Sequence, residues 1–135
     1  MLQREDTTQK LTFKKGERLK SRKIIQSLFI QNQHIKIYPF KLVWLTEAEN
    51  KPFSLKIGVS VSKRLFKSAV KRNLIKRKMR ECVRLNKPLL KDKLNDKNIR
   101  LSFMLIYLSS DLISYEEFDT KIKQLFIRLG ERVNN

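Results

Sequence analysis

The stretch GVSVSKRLFKSAVKRNLIKRKMRECVR, residues 58–84, contains the change of pattern that decides the fold. From Phe53 to Ser62, apolar residues alternate with small or polar ones, which is the period-two pattern of a half-buried strand. From Leu65 to about Leu85, apolar residues recur at helical spacing instead. The stretch therefore predicts a strand whose end leads into a helix.

Drawn as a helix, residues 64–85 separate into a basic side and an apolar side. The apolar side consists of Leu74, Ile75, Met79, Cys82 and Val83, with Lys71 and Lys78 extending outwards from its edge. The basic side falls within one arc of about 140°, calculated from the helical period, and consists of Arg72, Asn73, Lys76, Arg77, Arg80 and Arg84. We expect the apolar side to pack on a sheet and the basic side to face a ligand.

The ligand of the basic side is expected to be a polyanion. Residues 63–84 include ten Lys or Arg residues and a single acid, Glu81. Like charges stacked at Arg72, Lys76, Arg80 and Arg84 are destabilising unless phosphates lie between them. The pattern predicts phosphate contacts without distinguishing RNA from DNA, and recognition by shape and phosphates suits structured RNA.

The composition of the whole chain agrees with one basic domain. The 135 residues carry a formal net charge of +18, and 41% of them are hydrophobic, which is enough for a single core. We expect a flexible polar N-terminus at residues 1–10 and an RNA-binding domain at residues 11–135. The absence of a long apolar run and the single Cys82 favour a cytoplasmic protein that binds no membrane. One Cys and one His, His34, are too few for a zinc site.

Two elements are predicted before the central stretch. Ser21 is a suitable N-cap for a first helix that ends near Asn32. Its apolar face consists of Ile24, Ile25, Leu28 and Phe29. Residues 40–46, FKLVWLT, then read as a strand. A hairpin between this strand and the alternating strand is the simplest pairing.

Two more elements are predicted after the central stretch. Residues 86–97 read as a polar connection interrupted by Pro88, and residues 101–108, LSFMLIYL, as a strand covered on both faces. Ser114 and Glu117 have the capping-box spacing for a last helix that extends to about Arg132. Together the elements predict an α+β fold, an α/β sandwich with helices packed on a small mixed sheet. Their order is α-β-β-(β)-α-β-α, in which the bracketed strand is optional.

The central stretch resembles a known family. Residues 58–64, GVSVSKR, and residues 69–81, AVKRNLIKRKMRE, resemble the strand end and the RNR-motif helix of the bacterial ribonuclease P protein. The resemblance extends over nearly the whole chain, from Arg18 and Leu19 to the terminal helix. It implies a ribosomal protein S5 domain 2-like fold, with a left-handed β-α-β crossover in place of the usual right-handed one.

The resemblance also implies a function. In that family the protein is the accessory subunit of an endoribonuclease, and the ribonuclease P RNA uses Mg2+ to remove the 5′ leader from precursor tRNA. No catalytic side chain, no protein-bound metal and no protein partner are therefore expected. The catalytic RNA is expected to contact Lys63, Arg64, Lys67, Arg72, Asn73, Lys76, Arg77, Arg80 and Arg84. A central cleft for the leader is expected to contain Phe29, Phe40, Lys56, Ser60 and Ser62.

Two positions depart from the family pattern. Leu74 stands where the motif has its second Arg, so no phosphate contact is assigned to it. Ile25 stands where an aromatic residue is common, so base stacking in the cleft depends more on Phe29. For Phe29 and Phe40, packing in the core is an equally weighted alternative.

Other function classes fit the sequence less well. A nuclease that acts by itself needs paired acid/base groups or a carboxylate metal site, and neither is evident near the basic helix. Glycine occurs only at positions 16, 58 and 130, so the chain has no GXXG loop of the KH type. A ribosomal or other structured-RNA-binding role without processing stays open, since only the motif argues against it.

Overall fold

The computed structural model describes residues 17–134, so the predicted flexible segment at residues 1–10 lies outside the described part. Three helices and four strands follow one another in residues 17–134: α1 (Arg22–Gln31), β1 (His34–Ile37), β2 (Phe40–Ala48), β3 (Ser54–Val61), α2 (Ala69–Leu94), β4 (Ile99–Tyr107) and α3 (Tyr115–Asn134). This order confirms the predicted α+β fold, including the optional strand, which is β1.

The four strands form one mixed sheet in the order β1-β2-β4-β3. β2 pairs antiparallel with both β1 and β4, whereas β3 pairs parallel with β4. The predicted hairpin between β2 and β3 is therefore wrong, because β4 lies between them. The nearly continuous apolar run of β4 suits this central position, since its side chains are covered on both faces. α2 connects the parallel strands β3 and β4, and the handedness of this crossover stays a prediction.

One face of the sheet, the core face, carries the main hydrophobic core. Phe40 and Tyr107 are opposite one another on β2 and β4, and both rings contact Phe118 of α3. The ring centroids are 5.3 Å apart for Phe40 and Phe118 and 5.5 Å apart for Tyr107 and Phe118. α3 packs against β1, β2 and α2, and α2 packs against β3. These helices bury the core face.

The opposite face, the groove face, is only partly covered. α1 packs against β2 and β4, where Leu28 and Val43 are fully buried outside the main core cluster. Within the described residues, α1 makes no contact with β3. A groove therefore remains beside α1, and half-buried residues of β3 and β4 line it: Lys56, Gly58, Ser60, Met104 and Ile106.

The helix ends follow local capping as expected. The Ser21 hydroxyl accepts a hydrogen bond from the Ile24 N–H, and the backbone of Asn32 is left-handed, with a φ of 51°. The Ser114 hydroxyl accepts from the Glu117 N–H at 3.2 Å, in agreement with the predicted capping box. No helix of residues 17–134 combines the length and the apolar character that a bilayer-spanning segment requires.

The central helix differs from the prediction at both ends. α2 begins at Ala69 rather than after Arg64, because the Ser68 hydroxyl caps it and Phe66 is buried in the turn before it. α2 also continues through Pro88 to Leu94, so the predicted connection at residues 86–97 is wrong over most of its length. A proline inside a helix removes one hydrogen bond. The burial of Leu90 and Leu94 beyond it offsets that loss.

Candidate nucleic-acid interface

The exposed side of α2 is a basic surface. Asn73, Arg77 and Arg80 are exposed, and none of their side chains has a hydrogen bond or ion pair with another residue of the 17–134 range. They line a cavity of about 430 Å³ together with Glu81 and Arg84. We call Asn73, Arg77 and Arg80 the basic face. Its donors are available to phosphates.

Two arginines of the predicted contact set are already engaged by the protein. Arg72 donates through Nη1 to the carbonyl oxygens of Phe66 at 2.6 Å and Lys67 at 2.9 Å, so it fixes the turn before α2. Arg84 forms an ion pair with Glu81, and this hydrogen bond raises the pKa of the Arg84 guanidinium. Both charges still belong to the basic surface, but fewer of their donors are free for RNA.

The predicted contact residues outside the exposed face of α2 lie around it. Lys63, Arg64 and Lys67 are exposed in the loop between β3 and α2, and Lys76 is half-buried. β3 ends at Val61, so Ser62 is the first residue of this loop, and its assignment to the leader cleft stays a prediction. The Ser62 hydroxyl accepts hydrogen bonds from the backbone N–H groups of Arg64 and Leu65. Ser62 thus shapes the loop that carries the cations.

A short segment before α1 adds two cations that the sequence analysis did not assign to the site. Arg18 forms a parallel bridge with Ile57, and the Leu19 N–H donates to the Ile57 carbonyl at 2.9 Å. Arg18 and Lys20 are thereby held at the outer edge of β3. This pairing joins residues far apart in the chain, so local sequence patterns could not reveal it.

A buried ion pair holds that segment against α2. The Glu17 carboxylate accepts from Lys87 Nζ at 2.7 Å and lies 3.1 Å from Lys91 Nζ. Lys87 is only 1% exposed, and Glu17 is also buried. A buried charge is tolerated only when it is paired in this way. The pair therefore fixes the start of the segment that carries Arg18 and Lys20.

The edge cleft joins the basic face to the groove. It has a volume of about 340 Å³, and Arg18, Lys20, Gly58, Arg80 and Met104 are among its lining residues. Arg80 also lines the cavity on α2, so cations continue without interruption from the helix to the sheet edge. A Cβ atom at Gly58 would lie 2.9 Å from Met104 Cε. The end of the Met104 side chain therefore packs directly on the β3 backbone at Gly58, and a larger residue there would have to displace it.

The groove contains some of the predicted leader-binding residues but not all of them. Lys56 and Ser60 lie on the groove face, and the Phe29 side chain on α1 is 50% exposed. Phe40, in contrast, is 0% exposed on the core face, so its ring cannot contact a leader and its assignment to the cleft is corrected. The alternative for Phe40, packing in the hydrophobic core, is therefore confirmed.

Leu74 was expected to face either the sheet or the edge of the basic side. Its side chain is 43% exposed, which agrees with the edge. The other apolar-side residues, Ile75, Met79, Cys82 and Val83, are fully buried as expected. Burial raises the pKa of the Cys82 thiol, which agrees with a packing role.

The acidic residues near the interface are engaged in ion pairs. Glu81 pairs with Arg84, Glu17 with Lys87 and Lys91, and Asp119 with Lys123. Over residues 17–134, no three His, Cys, Asp or Glu side chains come together in a way that could hold a metal ion.

Comparisons with known proteins agree on one family. The family model described as Ribonuclease P matches residues 13–130. The ribonuclease P protein component of Porphyromonas gingivalis is 33% identical over 119 residues, which cover 88% of this chain and 87% of the relative. That of Borrelia turicatae is 28% identical over 119 residues, covering 88% of this chain and 96% of the relative.

Solved structures share the fold. The RNase P protein from Thermotoga maritima superposes with a TM-score of 0.61 at 21% identity, covering 83% of this chain and 96% of that one. The Staphylococcus aureus RNase P protein superposes with a TM-score of 0.60 at 19% identity, covering 84% and 94%.

Proposed function

Since this chain belongs to the ribonuclease P protein family, we propose that it binds the ribonuclease P RNA and the 5′ leader of precursor tRNA and thereby assists leader removal. The chain is in that case the accessory subunit of an endoribonuclease holoenzyme. Its role is to bind and position RNA, and it supplies no catalytic side chain.

The observation that carries the proposal is the continuity of the basic surface. Arg77 and Arg80 on α2 are exposed, and Arg80 continues into the edge cleft beside Arg18 and Lys20. Because no base-reading geometry is needed for such contacts, the surface suits the phosphates of a folded RNA. The exposed loop cations Lys63 and Arg64 extend the same surface.

The groove is proposed to hold the single-stranded leader. Lys56 supplies a charge for its phosphates, Ser60 supplies a hydroxyl, and the half-exposed ring of Phe29 supplies a surface for a base. Stacking on an aromatic ring tolerates any base, which suits a protein that must accept many leaders. The edge cleft leads from the basic face into this groove. A precursor tRNA that is bound to the ribonuclease P RNA can therefore contact both the basic face and the groove.

The magnesium chemistry is proposed to belong to the RNA. The acids nearest the basic face are paired with cations, and the described residues gather no metal-binding cluster. Bound to the RNA, magnesium would activate the water that attacks the phosphodiester and stabilise the developing charge. The protein's cations reduce the repulsion between the RNA and its substrate, so fewer free magnesium ions are required.

The leader assignment is tested by comparing precursor tRNA with tRNA that lacks a leader. The holoenzyme is expected to bind the precursor more tightly, and Phe29→Ala and Lys56→Gln are expected to reduce that preference without changing the affinity for leaderless tRNA. Ile127→Ala on α3 is the matched control, because Ile127 is also 50% exposed but lies on a helix of the core face. An unchanged preference in both groove variants, or an equal loss in the control, would overturn the assignment.

A further inference from the structure

The loop between β3 and α2 carries three closely spaced cations. It consists of residues 62–68, and Lys63, Arg64 and Lys67 are exposed in it. We call these three residues the loop cations. None of their side chains has a hydrogen bond or ion pair with another residue of the 17–134 range. Because like charges repel one another, a loop without other restraints would move them apart. Contacts of the loop backbone therefore decide where the loop cations lie.

The first part of the loop is fixed to the core. The Ser62 hydroxyl accepts hydrogen bonds from the Arg64 N–H at 3.2 Å and the Leu65 N–H at 3.4 Å. The Phe66 N–H donates to the Ser62 carbonyl at 3.0 Å. Phe66 is 8% exposed, and its ring centroid lies 6.2 Å from that of Tyr107. The backbone from Ser62 to Phe66 is thus anchored at the end of the sheet.

The last part of the loop is held by Arg72. Its Nη1 donates to the carbonyl oxygens of Phe66 at 2.6 Å and Lys67 at 2.9 Å. Both carbonyls precede that of the N-cap Ser68, which is the first carbonyl to accept a hydrogen bond from an N–H of α2. The hydrogen-bond pattern of an α-helix does not reach back to them. The Arg72 guanidinium takes that role, and it ties Phe66 and Lys67 to α2.

Arg72 lies on the interior side of α2 rather than on the basic face. It precedes Met79 and Val83 by about two and three helical turns, and both of those residues are fully buried. Arg72 is accordingly half-buried, whereas Asn73 and Arg77 are exposed. A cation near the N-terminus of a helix is unfavourable for the helix dipole. Its hydrogen bonds to two carbonyl oxygens offset that cost, so the Arg72 side chain is engaged by the protein before any RNA binds.

We propose that Arg72 is a positioning residue, which holds the loop cations in place for the phosphates of the ribonuclease P RNA and does not bind a phosphate itself. The inference rests on the proposed function, because it assumes that the loop cations contact that RNA. It replaces the expectation that Arg72 contacts the RNA directly. A loop that is ordered before binding loses less entropy when it binds. The affinity for RNA therefore depends on Arg72 through the loop.

The test is a double-mutant cycle between Arg72 and the loop cations, measured as affinity for ribonuclease P RNA over a range of salt concentrations. A loop-neutral variant replaces all three loop cations with Gln. In the wild-type background, Arg72→Gln is expected to raise the dissociation constant about tenfold, the factor for ordering one or two loose side chains on binding. In the loop-neutral background, it is expected to cause no larger loss than Arg128→Gln, the control that removes one exposed charge from α3.

Hydrogen exchange in the free protein measures the order of the loop without RNA. The Leu65 and Phe66 N–H groups are bonded to Ser62, so they exchange when the loop opens. Arg72→Gln is expected to accelerate their exchange, and Arg128→Gln is expected to leave it at the wild-type rate. Equal rates in wild type and Arg72→Gln would overturn the inference.

The outcomes of the cycle separate this inference from the function on which it rests. If the wild-type protein does not bind the RNA, the proposed function fails and the inference fails with it. If the wild type binds but Arg72→Gln weakens binding by the same factor in both backgrounds, only the inference is overturned, because a direct contact or a general loss of stability acts in both. A salt slope that falls by about 0.9 in the loop-neutral background would also overturn it, since Arg72 would then hold a phosphate itself.

Discussion

The double substitution Arg77→Gln and Arg80→Gln removes the two exposed arginines of the basic face. Neither side chain has a protein partner among the described residues, so the fold should keep its stability. Two lost phosphate contacts should reduce the slope of log K against log salt by about 1.8 for helical RNA, if the factor of about 0.9 per contact for duplex DNA is applied. At about 1.5 kcal/mol per charged hydrogen bond, the dissociation constant should rise about 100-fold.

The assay is a salt titration of binding to ribonuclease P RNA, with thermal unfolding measured on the same samples. Arg128→Gln with Arg132→Gln removes two charges from α3 and should change the slope little. Arg72→Gln should instead lower the unfolding temperature, because the Arg72 guanidinium donates hydrogen bonds to two backbone carbonyls and the variant loses them. A slope that is unchanged in Arg77→Gln with Arg80→Gln would refute the basic face as the RNA-binding surface.

Three further predictions concern the parts that hold the interface in place. Phe40→Leu should cost about 1.5 kcal/mol of stability through its lost ring contacts, and a measured loss of leader affinity at unchanged stability would contradict its place in the core. Glu17→Gln should lower the free energy of unfolding by about 3 kcal/mol, the lower end for breaking a buried ion pair. Glu47→Gln is the control, because its partner Arg100 is more exposed than Lys87. If chemical unfolding shows that Glu17→Gln destabilises the protein no more than Glu47→Gln does, the prediction is wrong. The pKa of Asp119 is lowered by hydrogen bonds from Asn86 and Lys123, so its contribution is present above the unfolded pKa of about 3.9 and is lost as the pH falls through the lower folded pKa. Urea unfolding of wild type and Asp119→Asn should therefore converge in acid, and a difference that stays constant at all acidic pH values would refute this linkage.

The local patterns of the sequence predicted most of the helices and strands. The caps at Ser21 and Ser114 lie where expected, because each depends on a hydroxyl and on N–H groups two or three residues away. The buried side of α2, with Ile75, Met79 and Cys82, follows from helical periodicity alone. These features are decided within one or two turns of chain, so the sequence contains them directly.

The pairing of the strands could not be predicted in the same way. The short connection between β2 and β3 favoured a hairpin, but β4 pairs with both strands and separates them. The apolar run of β4 predicted burial on both faces, and such burial favours a central position in the sheet, but the run itself does not indicate which strands lie beside it. The continuation of α2 past Pro88 has a similar origin, because Leu90 and Leu94 gain burial that a local rule does not count.

The sequence predicted which charged residues lie on the surface of α2 more accurately than it predicted their contacts. Arg77 and Arg80 are exposed as expected, but Arg72 is bound to the turn before α2 and Arg84 to Glu81. Arg18 joined the site only through its bridge to Ile57. Periodicity places a side chain on one side of a helix, but it does not show which carbonyl or carboxylate lies close enough to engage it.

The most direct measurement of the central claim is a magnesium titration of precursor-tRNA cleavage by a bacterial ribonuclease P RNA, with and without this protein. The account predicts that the protein shifts the midpoint to lower magnesium and allows cleavage where the RNA alone is inactive. The Arg77→Gln with Arg80→Gln protein should shift the midpoint less. Superimposable magnesium curves with and without the wild-type protein would contradict the account.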